Sequence, residues 1–345
     1  MISAIKKEIF LRNGELQNKN LESLYFGGGT PSILKVNELK SIIDEVLKYF
    51  TFNREIEITL EANPDDLDKN YLKDLSDSAV NRLSIGTQSF FDEDLKMMNR
   101  AHNSSEAESS IKRAQDFGFE NISIDLIYGS PTSDFEIWKE NLNKIIELQV
   151  PHVSSYALTV EPKTALNQWI KNGKINAPKE SEQNREFYYM SDFLKDHGFE
   201  HYEISNFGKP GFHSKHNSAY WKYREYLGIG PSAHSYNGRN ERSWNIANNQ
   251  QYIKLLSQNI LAKETEILSE KDRFNEMLMI GLRTIWGVDL SDFDKNFGDE
   301  IREHFQKEIH PKMEEGFLII EDNHLKIPEK HWFLADGIAS DLFMV

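Results

Sequence analysis

Four polar side chains recur at comparable places in the chain: Glu61 ends one apolar run, Gln88 ends another, Asp125 lies late in a third, and Arg100 follows a helix within Met97-Met98-Asn99-Arg100. Carboxylates so placed can accept from hydroxyls or an ammonium, and a guanidinium can fork onto a carboxylate. Upstream of all four runs Leu21 to Leu34, LESLYFGGGTPSIL, where a short apolar strand enters three consecutive glycines and then Thr30, Pro31 and Ser32. Residues without side chains let the backbone approach a ligand closely, and Pro31 stiffens the exit. A plain turn seldom needs three adjacent glycines behind an apolar strand, so the loop reads as a binding loop. Strand-end charges can equally be solvated or paired with one another. The argument for function is that all four obey one placement rule.

The elements that must carry these residues alternate. Helical spacing in Val36 to Phe50 follows the glycine loop; EIEITLE (Glu55 to Glu61) reads as a strand, RLSIGTQ (Arg82 to Gln88) as another, NISIDLI (Asn121 to Ile127) as a third and HVSSYAL (His152 to Leu158) as a fourth, with helices around Tyr71 to Leu75, Asp92 to Met98, Ser105 to Phe117 and Phe135 to Leu148 between them. Asn103 with Glu106 three residues on has the form of a capping box, and Gly118 closes that helix. Strand and helix alternating to about Val160 argue for parallel strands with helical crossovers, in an open sheet or a barrel, and for ligands at the carboxyl ends of the strands. Beyond Glu161-Pro162 come helices near Thr164 to Asn172 and Ser181 to His197, a strand-like Glu200 to Ser205, and a Gly, Pro, His and aromatic-rich stretch to about Trp244. From Lys271 the chain reads as a small helical or winged domain, with Gly316 as a helix stop.

Composition narrows the classes. The 345 residues can hold one large core and a smaller domain. A formal net charge of −15 without a Lys/Arg cluster makes nucleic acid an unsuitable partner. No run approaches the roughly 18 apolar residues of a membrane span, and Met1 to Arg12 is an amphipathic stretch with Ile2, Ile5 and Ile9 on one face rather than a signal pattern, so the expectation is a cytoplasmic protein that is not integral to a membrane. Cysteine is absent, which removes disulfides, thiolate metal sites and iron–sulfur ligation from the chain as given.

YFGGGTPS, LEANP with Glu61, RLSIGTQSF with Gln88, MNRAH with Arg100 and IDLIYGSP with Asp125 together resemble the S-adenosylmethionine-binding core of radical SAM proteins of the oxygen-independent coproporphyrinogen III oxidase family. His216-Asn217-Ser218-Ala219-Tyr220-Trp221 fits the HNxxYW motif of the HemW-type haem chaperones within it. The resemblance covers nearly the whole chain. It implies an α/β fold: a partial (β/α)6 radical SAM barrel over residues 1–198, lacking its first strand, an accessory haem-binding segment over 199–265, and a smaller, mainly helical C-terminal domain over 266–345. It implies that Gly28, Gly29 and Thr30 line the methionine part of S-adenosylmethionine, with Glu61, Gln88, Arg100 and Asp125 as further contacts. The family also carries a [4Fe-4S] cluster on a CxxxCxxC loop at the end of its first barrel strand, and this chain has no Cys. The expectation is that the cluster segment is missing through truncation and that the chain as given performs no radical chemistry.

Four histidines, His201, His213, His216 and His234, fall among Phe207, Phe212, Tyr220, Trp221, Tyr223 and Tyr226. Porphyrin is a flat apolar disc whose iron takes imidazole, so this composition suits haem, with His216 as the axial ligand and Asn217, Tyr220 and Trp221 beside it. The same residues could instead pack a loop onto the barrel, and His213 with His216 forms an HxxH that would weakly suggest zinc. The functional expectation is a chaperone that binds haem and delivers it to client proteins, with a homodimer left open. Its alternatives are a truncated coproporphyrinogen III oxidase and a generic barrel binding a small anion.

Overall fold

The computed structural model describes residues Met1 to Val345. The chain divides into two compact units, one made of Met1–Leu24, Asn37–Ile56 and Lys215–Val345, the other of Tyr25–Val36 and Glu57–Ser214.

The main sheet has seven strands: β1 (Asn20–Phe26), β2 (Thr51–Ala62), β3 (Arg82–Gln88), β4 (Asn121–Tyr128), β5 (His152–Ala157), β6 (Glu200–Glu203) and β7 (Asn206–Gly208), in the order β1-β2-β3-β4-β5-β7-β6. Strands β2 to β5 run parallel, each joined to the next through helix, and the sheet curls into a partial barrel of the expected α/β class. β7 and β6 close the far edge as an antiparallel pair. Glu200 to Ser205 was expected to be one strand; Asn206–Gly208 turns back beside it and pairs with β5 instead.

The register makes the two faces of this sheet chemically different. Glu61 pairs with Ser84, Ser84 with Ser123, and Ser123 with His152; two residues further on, Asp125 pairs with Ser154 and Ser154 with Asn206. Successive side chains of a strand point to opposite faces, so these polar rows share one face and Leu83, Ile85, Ile122, Ile124 and Leu126 share the other. All five apolar residues are buried, each stabilising the fold by about 1.5–3 kcal/mol. The Glu180–Asp196 helix packs against β4 and against the Phe135–Glu147 helix, where Trp138 Nε1 donates to the Glu186 carbonyl at 3.2 Å. The Asn103/Glu106 capping box is present, with both reciprocal bonds at 2.9 Å.

The other unit contains elements that composition concealed. The Gly- and His-rich stretch carries a helix, Lys215–Trp221, and most of an antiparallel sheet of β8 (His234–Tyr236), β9 (Glu241–Asn245) and β10 (Lys263–Ile267), ordered β10-β9-β8. Further on, β11 (Val288–Asp289), β12 (Ile319–Glu321) and β13 (His324–Lys326) form a second small antiparallel sheet beside the helices Glu270–Gly281, Leu290–Asn296 and Asp299–Glu314. Gly316, at φ +77°, follows the last of these helices and ends it. The core between these helices is aromatic: Phe293 and Phe305 sit 4.3 Å apart by ring centroid, with Phe274 edge-on to Phe305 at 6.1 Å.

Candidate functional site

The glycine loop is clamped by one carboxylate. Tyr25 Oη donates to Glu61 Oε1 at 2.7 Å, and the Gly28 N–H donates to Glu61 Oε2 at 3.0 Å. The three glycines are needed for two different reasons. A Cβ on Gly27 would lie 2.4 Å from the Tyr25 ring and 2.9 Å from Glu61 Oε1, so that position has no room. Gly28 and Gly29 have φ of +76° and +67° with open space where a Cβ would be, so conformation decides there.

Asp125 lies half-buried on the same sheet face, where Ser84 Oγ donates to its Oδ1 at 3.4 Å. Burial, and after it the charge of Glu61, push the Asp125 carboxyl up to about 7, against the opposing pull of Arg82. Burial and Glu61 also push the Tyr25 phenol far above its usual range, so Tyr25 remains a donor. Arg100 Nη2 donates to Asn63 Oδ1 at 2.7 Å and to the Gly86 carbonyl at 3.1 Å. A Cβ on Gly86 would fall 3.1 Å from Gln88 Nε2 and 3.2 Å from Arg100 Nη2, which places both side chains around that glycine. Gln88 itself has φ +66°, just past a bulge in the β3–β4 register. Thr30 precedes a single turn, its carbonyl accepting from Ile33 N at 3.2 Å.

The structure therefore groups Glu61 with the glycine loop and within electrostatic reach of Asp125, and Gln88 with Arg100. Tyr25, Asn63 and Ser84 hold these groups in place and were not singled out from the sequence. Tyr25 was visible as the aromatic two residues before the glycines, but nothing local reveals that its hydroxyl reaches a residue 36 positions away.

The four clustered histidines divide into two pairs. His201 is buried, stacked on Phe207 at 3.9 Å with its ring nitrogens on Ser191 and the Ile204 carbonyl, and burial lowers it to about 3. His213 stacks on Tyr202 at 4.1 Å, with Nε2 2.9 Å from Glu200. Both serve packing. His216, Asn217, Tyr220 and Trp221 lie on the Lys215–Trp221 helix, outside any metal-ligating group of three or more side chains. His216 meets Tyr220 edge-on at 5.0 Å and brings Nδ1 to 3.4 Å from Ser23 Oγ. Tyr220 continues edge-on to Tyr226 at 4.6 Å, while the Trp221 ring has the Arg283 guanidinium 5.8 Å away. His234 heads β8, exposed.

Residues 5–145 match the Radical SAM superfamily model and residues 268–334 the HemN C-terminal domain model. The chain is 34% identical over 320 residues to a protein of Lactococcus lactis named heme chaperone HemW, covering 93% of this chain and 84% of that one. A Bacillus subtilis protein of the same name is 32% identical over 319 residues, with 92% and 84% covered. The chain belongs to the HemW family of radical SAM proteins.

Among solved structures, coproporphyrinogen III oxidase (HemN) from Escherichia coli superposes with a TM-score of 0.82 at 22% identity, over 99% of this chain and 82% of that one, which establishes the shared fold. No helix is long and apolar enough to cross a membrane. The radical SAM superfamily's iron–sulfur cluster is held by thiolates, and this chain, with no Cys, offers none.

Proposed function

We propose that the chain is a haem chaperone that binds haem in the stretch from Lys215 to Trp244 and transfers it to recipient proteins. The observation that carries the reading is the His216-to-Trp221 motif on one helix, with an imidazole edge-on to a phenol in a chain whose relatives bear the name heme chaperone. A porphyrin needs a neutral imidazole for its iron and aromatic surface for its disc, and the Tyr220, Tyr226 and Tyr236 rings supply surface beside His216. Titration of the protein with ferric haem should give a shifted Soret band, and mixing the loaded protein with a haem-free haemoprotein should move that absorbance to the acceptor. A spectrum identical to free haem would refute the reading.

The glycine loop fits S-adenosylmethionine, which would supply a sulfonium and an ammonium to a carboxylate-lined site. Gly28, Gly29 and Thr30 would line its methionine part; Glu61 and Asp125 would accept from its donors; Gln88 and Arg100 would contact it from the Gly86 side. Glu61 is already held by Tyr25 and Gly28, so it is oriented before a ligand arrives. The chain's own residues cannot hold a thiolate-bound cluster, so the proposal for this loop is binding. A second reading, an oxygen-independent porphyrinogen decarboxylase, has only the fold shared with HemN behind it. Anaerobic incubation with coproporphyrinogen III and S-adenosylmethionine tests it, and an unchanged substrate is the expected result.

A further inference from the structure

We propose that His102 is a positioning residue for the S-adenosylmethionine site: the bond from its imidazole to the Thr87 carbonyl holds the turn that presents Gln88. The proposal rests on the S-adenosylmethionine reading above and adds a residue that acts on that site through the backbone.

The turn lies where β3 breaks step with its neighbour. Ile85 pairs with Ile124 and Gln88 with Leu126, so Gly86 and Thr87 together oppose Asp125 alone. Directly after this bulge the Thr87 carbonyl accepts from Ser89 N at 2.9 Å, and Gln88 between them has φ +66°. A bond from i to i+2 around a residue at positive φ is the rare, strained form of the γ-turn, and glutamine has no backbone preference for it. Such a conformation persists only where its surroundings fix it.

Both sides of the turn are fixed. Ser89 Oγ donates to Asp94 Oδ2 at 3.0 Å, and Phe90 N donates to Asn141 Oδ1 at 2.5 Å. The Thr87 hydroxyl is buried with no hydrogen-bond partner, so that residue is held by its carbonyl. His102, 3% exposed in the loop between the Asp92–Met97 and Ser104–Asp116 helices, brings Nε2 to 3.1 Å from the Thr87 oxygen. A carbonyl only accepts, so Nε2 carries the proton. Nδ1 is buried without a hydrogen-bond partner, 3.8 Å from Asp65 Oδ1, and burial keeps the imidazole below its usual 6.5. A neutral imidazole with one nitrogen unsatisfied packs worse than an aliphatic side chain of its size, so what His102 contributes is its one bond.

The same turn supports the cation of the site. Arg100 Nη2 rests on the Gly86 carbonyl, one residue before Thr87, and Gln88 Nε2 and Arg100 Nη2 flank Gly86. Within the chain Arg100 reaches only the neutral oxygens of Asn63 and Gly86, and its Nε is buried without a hydrogen-bond partner. That guanidinium is free to take a ligand carboxylate. Releasing the Thr87 carbonyl would let Gln88 leave its strained conformation and shift the oxygen beneath Arg100.

Calorimetry with S-adenosylmethionine on wild-type protein, His102→Gln, His102→Leu, Gln88→Gly and the double variant His102→Leu/Gln88→Gly tests the proposal. A Gln amide can reach the Thr87 carbonyl, so His102→Gln should bind like wild type, whereas His102→Leu should bind about tenfold more weakly, the order of one hydrogen bond. Gln88→Gly loses the contact and the strain together, so it should also weaken binding, and adding His102→Leu to it should change affinity no further. The number of sites per chain separates positioning from folding: His102→Leu should keep the wild-type number, each binding more weakly. Wild-type affinity in His102→Leu, loss of sites or of folding in that variant, no rescue by Gln, or independent losses in the double variant overturns the proposal and leaves S-adenosylmethionine binding standing. No binding by the wild type overturns the S-adenosylmethionine reading, and this proposal with it.

Discussion

Tyr252 Oη donates to Glu8 Oε2 at 2.5 Å across 244 positions of sequence, joining the Asn249–Ser257 helix to the first helix of the chain through two buried side chains. Glu8 also accepts from the Gly230 N–H at 2.9 Å and pairs with Arg12 at 2.8 Å, and Arg12 in turn donates to the Gly228 carbonyl at 2.9 Å. Both charged residues are 1% exposed. A buried ion pair with every remaining lone pair and proton engaged holds the Gly228 to Ser235 loop, and so His234, in one geometry.

Removing one partner leaves the other charge stranded. Glu8→Ala should cost roughly 3–5 kcal/mol in urea unfolding, and Glu8→Ala with Arg12→Met less than the sum of the single changes. Additive losses would show that the pair does not act as a unit.

Around the glycine loop the three positions should respond differently. Gly28→Ala places a side chain at positive φ in open space and should cost about 1–2 kcal/mol of stability. Gly27→Ala must displace Tyr25 or Glu61, so it should weaken S-adenosylmethionine binding at least tenfold by calorimetry. Equal behaviour of the two variants would contradict the separate roles of space and conformation.

Asp125 is raised to about 7 from an ordinary 3.8. Between those values the folded protein holds a proton the unfolded chain has lost, so this residue makes stability fall as pH rises from about 4 to 7. A cationic ligand favours the carboxylate, so S-adenosylmethionine should bind more tightly at pH 8 than at pH 6 with release of a proton. Asp125→Asn should abolish both the proton release and that difference, as buffer-dependent calorimetry can measure.

Acid acts through His152, fully buried against Ser123 Oγ at 2.6 Å and Tyr202 Oη at 2.8 Å, and held well below its usual 6.5 by burial and by Arg82. The unfolded chain binds a proton below 6.5 that the folded protein refuses, so stability is full above that pH and declines as pH falls through it. In His152→Gln, Tm measured from pH 7 to pH 5 should decline less steeply.

Much of the barrel was legible because long parallel strands and their crossovers repeat the same local signals. Arg82 to Gln88 is a strand with the expected bounds, and the Asn103/Glu106 cap is a local bond between residues three apart. The stretch between Phe207 and Trp244 was harder to read. Strands of three to five residues are too short to show a period, and the Lys215–Trp221 helix contains Asn217, Ser218 and Tyr220, which favour helix weakly. In the opening helix only Ile9 of the three isoleucines on one face is buried, together with Ala4, Glu8 and Arg12. Hydropathy scores a charge as exposed, and only its partners can reverse that.

The sequence by itself determined the alternation of strand and helix, the glycine loop, the ordered motifs that mark a radical SAM protein of the HemW family, and the absence of thiolates. These are properties of composition and local spacing, which need no third dimension. Tertiary structure alone decided that Tyr25 and Gly28 share Glu61, that Glu8 and Arg12 are buried together, and that of four neighbouring histidines two are packing residues and one stands open beside a tryptophan. Each of those outcomes depends on contacts between distant residues, and a side chain's protonation, orientation and freedom follow from what folding brings against it.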